Sequence, residues 1–179
     1  MGAGILPTTI YKGKLYFLFG KENKYADTPG FSDFGGGTDN KESFLATAIR
    51  EGGEELTGFL GSDKELKQML KKYGTYNIDW ETYRMHIFPM DYDESLVRYY
   101  NNNQKFLQQN LDSAVIKSVK IFEKAEIRWI CVDDIMKMRG QFRSYFRNLV
   151  DMINAQKVDI ERFIRHQNTK TRKTRKNRK

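Results

Sequence analysis

The chain has 179 residues, 39% hydrophobic and 30% charged, a composition that predicts one globular domain with a sizeable core. It contains no apolar run near the ~18–20 residues of a membrane span, and its N-terminus lacks the basic-then-apolar plan of a secretion signal. A single cysteine, Cys131, excludes an internal disulfide, and only His86 and His166 are histidines, so carboxylates are the main stock for catalysis. These features predict an intracellular protein, cytoplasmic or nuclear and not secreted. Met1-Gly2 is no myristoylation signal, because Leu6 stands where Ser or Thr is needed.

Leu6 to Tyr11 and Lys14 to Phe19 read as strands joined at Lys12-Gly13. The near-continuous apolar run Leu15 to Phe19 predicts a strand buried on both faces. Residues 23–37 form a loop that ends in Gly35-Gly36-Gly37, where the backbone can approach a ligand closely. Ser43 is placed to cap a helix running to about Leu56, with Phe44, Leu45, Ala48 and Ile49 as its apolar side. On that helix Glu51, Glu54 and Glu55 stand at i, i+3 and i+4 and share a face. Their repulsion becomes useful when a hard divalent cation binds carboxylate oxygens. For Glu54-Glu55 alone a solvated charged surface is the simpler account. The glycine-rich approach and the full spacing favour the metal. Gly52 and Gly53 each cost the helix about 0.8–1.0 kcal/mol relative to alanine, so Gly52→Ala is expected to stabilise it.

Ser62 to Glu65 fits a capping box opening a helix to about Tyr73. Tyr76 to Asp79 and Tyr83 to Tyr92 read as strands. Residues 93–117 form a mostly helical insert, whose aromatics Tyr99, Tyr100 and Phe106 either stack a base or pack internally. Ile127 to Val132 is a further strand, with Cys131 a buried small hydrophobe. The apolar spacing of Gln141 to Ile153 predicts a core helix, followed by a short helix through Phe163. The net charge of +8 is local: eight of the 31 basic residues fall between Arg165 and Lys179, leaving residues 1–164 formally neutral. That tail has the composition of a disordered segment and suits an RNA backbone, a nuclear address or an idle solubilising terminus.

Gly36, five residues, Glu42, seven residues, Arg50-Glu51, two residues and Glu54-Glu55 follow the spacing of the Nudix box. At these residues the chain resembles the Nudix hydrolases. It departs from the pattern at Gly52, where an apolar residue is usual, and at Gly58, a closing glycine one residue late that still suits a left-handed helix exit. The insert and the run Ile121 to Ile130 also resemble Nudix proteins of large DNA viruses and some protists.

The resemblance implies an α/β fold: an α/β/α sandwich with a mixed sheet over residues 1–164, a helical insert at about 93–117, and the basic tail 165–179. It further implies a Mg²⁺- or Mn²⁺-dependent pyrophosphohydrolase that cleaves a nucleoside diphosphate linked to another group, either a nucleotide or a 5′ RNA cap. Glu51, Glu54 and Glu55 are then the catalytic metal ligands. Arg50 and Glu42 orient them, Gly36 and Gly37 offer backbone to metal or phosphate, and Lys21 is either a phosphate contact or a solvated loop lysine. The general base is a box glutamate, Glu123 or Glu126, with Glu123 preferred for its place in the loop before the late strand; the alternative for either is a surface carboxylate paired with Lys124 or Arg128. The rival reading is a non-catalytic Nudix-fold sensor of nucleotide or RNA.

Overall fold

The computed structural model describes residues 1–39 and 41–176, except for the side chains of Ile121 and residues 168–176. Positive φ at Lys12 (47°) and Gly13 (80°) turns strand β1 (Gly2–Tyr11) into β2 (Lys14–Glu22), the hairpin expected from the sequence. β1 starts four residues earlier than the pattern suggested. Its first half pairs antiparallel with β4 (Phe34–Gly37) and parallel with β6 (Tyr83–Pro89). The small residues Gly2, Ala3 and Gly4 carry no alternating pattern, so only these partners reveal the strand.

β3 (Phe31–Ser32) and β7 (Lys124–Cys131) pair with β2, and β5 (Tyr76–Trp80) pairs with β6. Among the described residues the strands form one mixed seven-stranded sheet. Helix α1 (Phe44–Glu55), α2 (Asp63–Tyr73) and α3 (Glu94–Asn110) cover one face. There Ala48, Leu66 and Tyr100 pack on Ala3, Ile5, Leu18 and Ile127. The other face carries Leu15, Phe17 and Phe19, covered by Leu149, Ile153, Ile160 and Ile164 of α6 (Arg147–Lys176). The α/β/α sandwich is thus in place, with β2 buried on both sides.

α4 (Ser113–Ser118) completes the insert, and α5 (Val132–Ile135) follows β7. Tyr100 is fully buried and belongs to the core; Tyr99 and Phe106 are exposed. Two expectations change at the C-terminus. Gln141 to Phe146 is not helical as a unit but holds two short 3-10 turns around Phe142, whose extended backbone bridges to Phe31. The separate final helix and the disordered tail are replaced by one helix that continues to Lys176. No glycine or proline interrupts residues 147–176, and the buried Ile160 and Ile164 anchor it up to Arg165, where the basic segment starts. Residues 177–179 of the tail lie outside the described residues. No described helix is long and apolar enough to cross a membrane.

Candidate active site

Helix α1 begins where Ser43 Oγ accepts the Ala46 N–H. It ends through positive φ at Thr57 (50°) and Gly58 (73°), with Gly58 N–H donating to Gly53 O. Gly52 faces the sheet, where a Cβ would stand 2.8 Å from Ile5 Cγ1 and closer still to Cδ1. The glycine therefore lets α1 sit down on β1, which reverses the expectation that Gly52→Ala stabilises. Gly36 serves a similar purpose on the strand side: a Cβ there would meet the Glu51 carboxylate at 2.6–2.7 Å.

The three box glutamates do not converge. Glu51 and Glu54 share two cations. Arg50 Nη1 lies 2.7 Å from Glu51 and 3.7 Å from Glu54, and Lys120 Nζ lies 3.8 and 3.5 Å from the same carboxylates. Arg50 also donates to both oxygens of Glu42 and to Gly37 O. Those bonds, with Thr47 Oγ1 donating to Glu42 as well, hold the Glu42 carboxyl down at about 2. The guanidinium is fixed from behind and its front edge positions Glu51. Glu54 Oε2 is buried, yet no hydrogen bond reaches it among the described residues.

Glu55 points elsewhere. Its Oε2 accepts the Gly35 N–H at 2.8 Å and its Oε1 lies 3.2 Å from Lys124 Nζ. Lys124 also donates to Glu22, in close contact, and to Ser32 Oγ at 2.8 Å. Arg143 Nη1 donates to Glu22 at 2.6 Å, so two cations face two carboxylates. Burial pushes the Glu55 carboxyl well up, while burial on Lys124 is outweighed by Glu55 and Glu22, which hold its ammonium above the ordinary range. These tendencies conflict, and the contacts favour the ion pair, because Glu55 accepts the Gly35 N–H on one oxygen and faces the Lys124 ammonium at 3.2 Å with the other. Beside this cluster Asp33 accepts from Tyr83 OH, and burial raises its carboxyl to about 7.

The remaining candidates separate by sheet face. Glu123 precedes β7 and lines a cleft of about 340 Å³ with Glu22, Asn23, Asp27, Lys117 and Arg143. Burial, then the nearby Glu22, raises its carboxyl, with Glu51 adding to the effect. Glu126 pairs with Arg128 and stands opposite Lys21. Lys21 and Arg128 both lie over the Phe31 ring, in the α6-side core. Lys21 and Glu126 thus sit on the face away from α1, and the structure does not bring them to Glu51 and Glu54. The sequence reading missed Glu22, Lys124, Lys120 and Arg143. None gave a local signal, since the partners of each lie far along the chain: Lys124 and Arg143 both meet Glu22, and Lys120 meets Glu51 and Glu54.

This sheet, with α1 laid across β1 and β4, resembles a set of solved structures. RenU, a Nudix hydrolase from M. smegmatis, matches over 89% of this chain and 86% of its own at 13% identity, with a TM-score of 0.51. The chain has the Nudix fold. A C. elegans Ap4A hydrolase covers 88% of this chain and 97% of its own at 15% identity, TM-score 0.49. A MutT protein from Methanosarcina mazei covers 87% and 93% at 17% identity, TM-score 0.45. No protein-family model matches the chain, and no curated protein does. Arg50, Glu51 and Glu54, singled out by their spacing, all lie on α1.

The donor set bears on a divalent ion. Among the described residues no three His, Cys, Asp or Glu side chains converge on one point. Glu51 and Glu54 nonetheless suit a hard cation: both are oxygen donors, both face the same pair of side-chain cations, and Glu54 Oε2 is held only by long ion pairs of 3.5 Å to Lys120 and 3.7 Å to Arg50.

Proposed function

We propose that the chain is a Nudix pyrophosphohydrolase, cleaving the diphosphate of a nucleoside diphosphate linked to another group. The observation that supports this reading is the Glu51 and Glu54 pair, backed by Arg50, with Glu54 Oε2 held only by long ion pairs to Arg50 and to the partly exposed Lys120. Mg²⁺ or Mn²⁺ held by Glu51 and Glu54 would supply charge neutralisation for the phosphate oxygens.

The chain's own residues supply the rest. Arg50 fixes the Glu51 rotamer through its anchor on Glu42. Lys120, more than half exposed, is free to swing from the carboxylates to a phosphate. Glu123 takes a proton from the attacking water. Burial and the nearby Glu22 raise its carboxyl, which makes it a stronger base than a free glutamate, and it lines the cleft. Glu126 and Lys21, on the other face, have no part in this chemistry.

The test is a panel of nucleoside triphosphates, dinucleoside polyphosphates, nucleotide sugars and capped RNA, incubated with Mg²⁺ or Mn²⁺. Release of phosphate or nucleoside phosphate by the wild-type chain and its loss in Glu54→Gln support the reading. No release from any member would favour a Nudix-fold sensor.

A further inference from the structure

We propose that Lys124 is a built-in cation that withdraws Glu55 from the metal-ligand set, leaving Glu51 and Glu54 to hold the divalent ion. The proposal rests on the metal-dependent reading above.

Lys124 is 0% exposed, donates to Glu22 and Ser32 Oγ, and forms an ion pair with Glu55 at 3.2 Å. Glu55, at 2% exposure, uses its second oxygen on the Gly35 N–H. The chain is shaped around this lysine. A Cβ at Gly20 would stand 2.9 Å from Lys124 Cδ and 3.1 Å from Cγ, so the bare glycine gives the stem its passage. Tyr100 OH, from α3, donates to the backbone oxygens of Glu55 (2.6 Å) and Lys124 (3.3 Å), tying the end of α1 to the start of β7.

The strand register aims the side chain. Lys21 pairs with Glu126, but Glu22 pairs with Lys124, so Ala125 is an extra residue. The irregularity turns Lys124 to the α1 face and leaves Glu126 on the other.

Lys120 provides the contrast. It stands against Glu51 and Glu54 with 55% of its side chain exposed, so water can receive its ammonium when an ion arrives. An ion binding Glu55 would take from the buried Lys124 ammonium one of its two carboxylate partners and set a second cation beside it, which is costly.

The experiment is Mn²⁺ titration of the full chain by calorimetry and electron paramagnetic resonance. Glu54→Gln is expected to weaken Mn²⁺ by about tenfold or more, the effect of losing a ligand charge. Glu55→Gln is expected to stay within about threefold of wild type, since the proposal gives Glu55 no ion to hold; its one amide oxygen keeps only one of the two N–H partners, so the variant's fold is checked by thermal melting alongside. A folded Lys124→Met chain is expected to take up an additional Mn²⁺, and Lys124→Met with Glu55→Gln to return to the wild-type number. Equal weakening by Glu54→Gln and Glu55→Gln would overturn the proposal while leaving the metal-dependent reading intact. Absence of Mn²⁺ binding by the wild-type chain would overturn both.

Discussion

Gly52 of α1 and Ile5 of β1 are in contact where any larger residue at position 52 would collide with the isoleucine. Close packing, not helix propensity, governs that position. Gly52→Ala is expected to destabilise the chain, because overpacking of about 1–3 kcal/mol exceeds a propensity gain of at most about 1 kcal/mol. Gly53→Ala is the control: its Cβ would meet only the Asp63 carboxylate, the end of a side chain that can rotate away. Urea midpoints for both, and for Gly52→Ala combined with Ile5→Val, check this. The smaller valine should recover part of the loss. A higher midpoint for Gly52→Ala would mean that α1 does not sit on β1 as described.

Glu54→Gln should keep the fold and lower turnover by roughly 10²-fold, the scale of removing one electrostatic catalytic group. Glu123→Gln should also lower turnover and remove the acidic limb of the pH profile. Glu126→Gln should do neither, since its carboxylate sits with Arg128 and Lys21 on the opposite face. Steady-state rates for the three variants on the substrate found in the panel decide it; a Glu126→Gln chain as slow as Glu123→Gln would reverse the assignment.

Burial raises the Asp33 carboxyl from 3.8 to about 7 in the folded chain, against the opposing bond from Tyr83. The folded state therefore binds this proton more tightly than the unfolded state does. The stabilisation is fully present below about pH 3.8 and is lost as pH rises to about 7. Asp33→Asn removes that dependence while its amide oxygen still accepts from Tyr83. Relative to the variant, wild type is expected to lose up to about 1.4 kcal/mol per pH unit inside the window and nothing further above it. Parallel stability curves for the two chains would refute the shift.

Removing Arg165 to Lys179 should leave the domain folded, because Ile160 and Ile164, the last α6 residues in the core, remain. Hydrolysis of a mononucleotide substrate should survive. If RNA is the substrate, truncation should weaken binding of a short single-stranded RNA and flatten its salt dependence. The log–log slope should fall by roughly 0.7 for each phosphate that the basic residues no longer neutralise. Fluorescence anisotropy across a salt series measures this. Equal slopes would disconnect the basic end of α6 from RNA and favour a small nucleotide.

Signals confined to one element were legible in the chain itself. Ser43 and Ser62 cap their helices as spaced, and the Ser62 side chain closes a full capping box with Glu65. Lys12-Gly13 makes its turn, and the apolar run of β2 is buried on both faces. The i, i+3 spacing placed Glu51 and Glu54 together because a helix fixes neighbours within one turn.

What the sequence by itself determined is therefore the helix that carries the site and the order of residues along it. The tertiary structure decided the rest. It turned Glu55 toward Lys124, joined Lys124 to Glu22 across 102 positions, and put a glycine's backbone where Gly52 meets Ile5. It also separated Glu123 from Glu126 by one irregular step between β2 and β7. The physical reason is register: a single extra residue reverses which face every following side chain takes, and nothing local in the sequence records where that step falls.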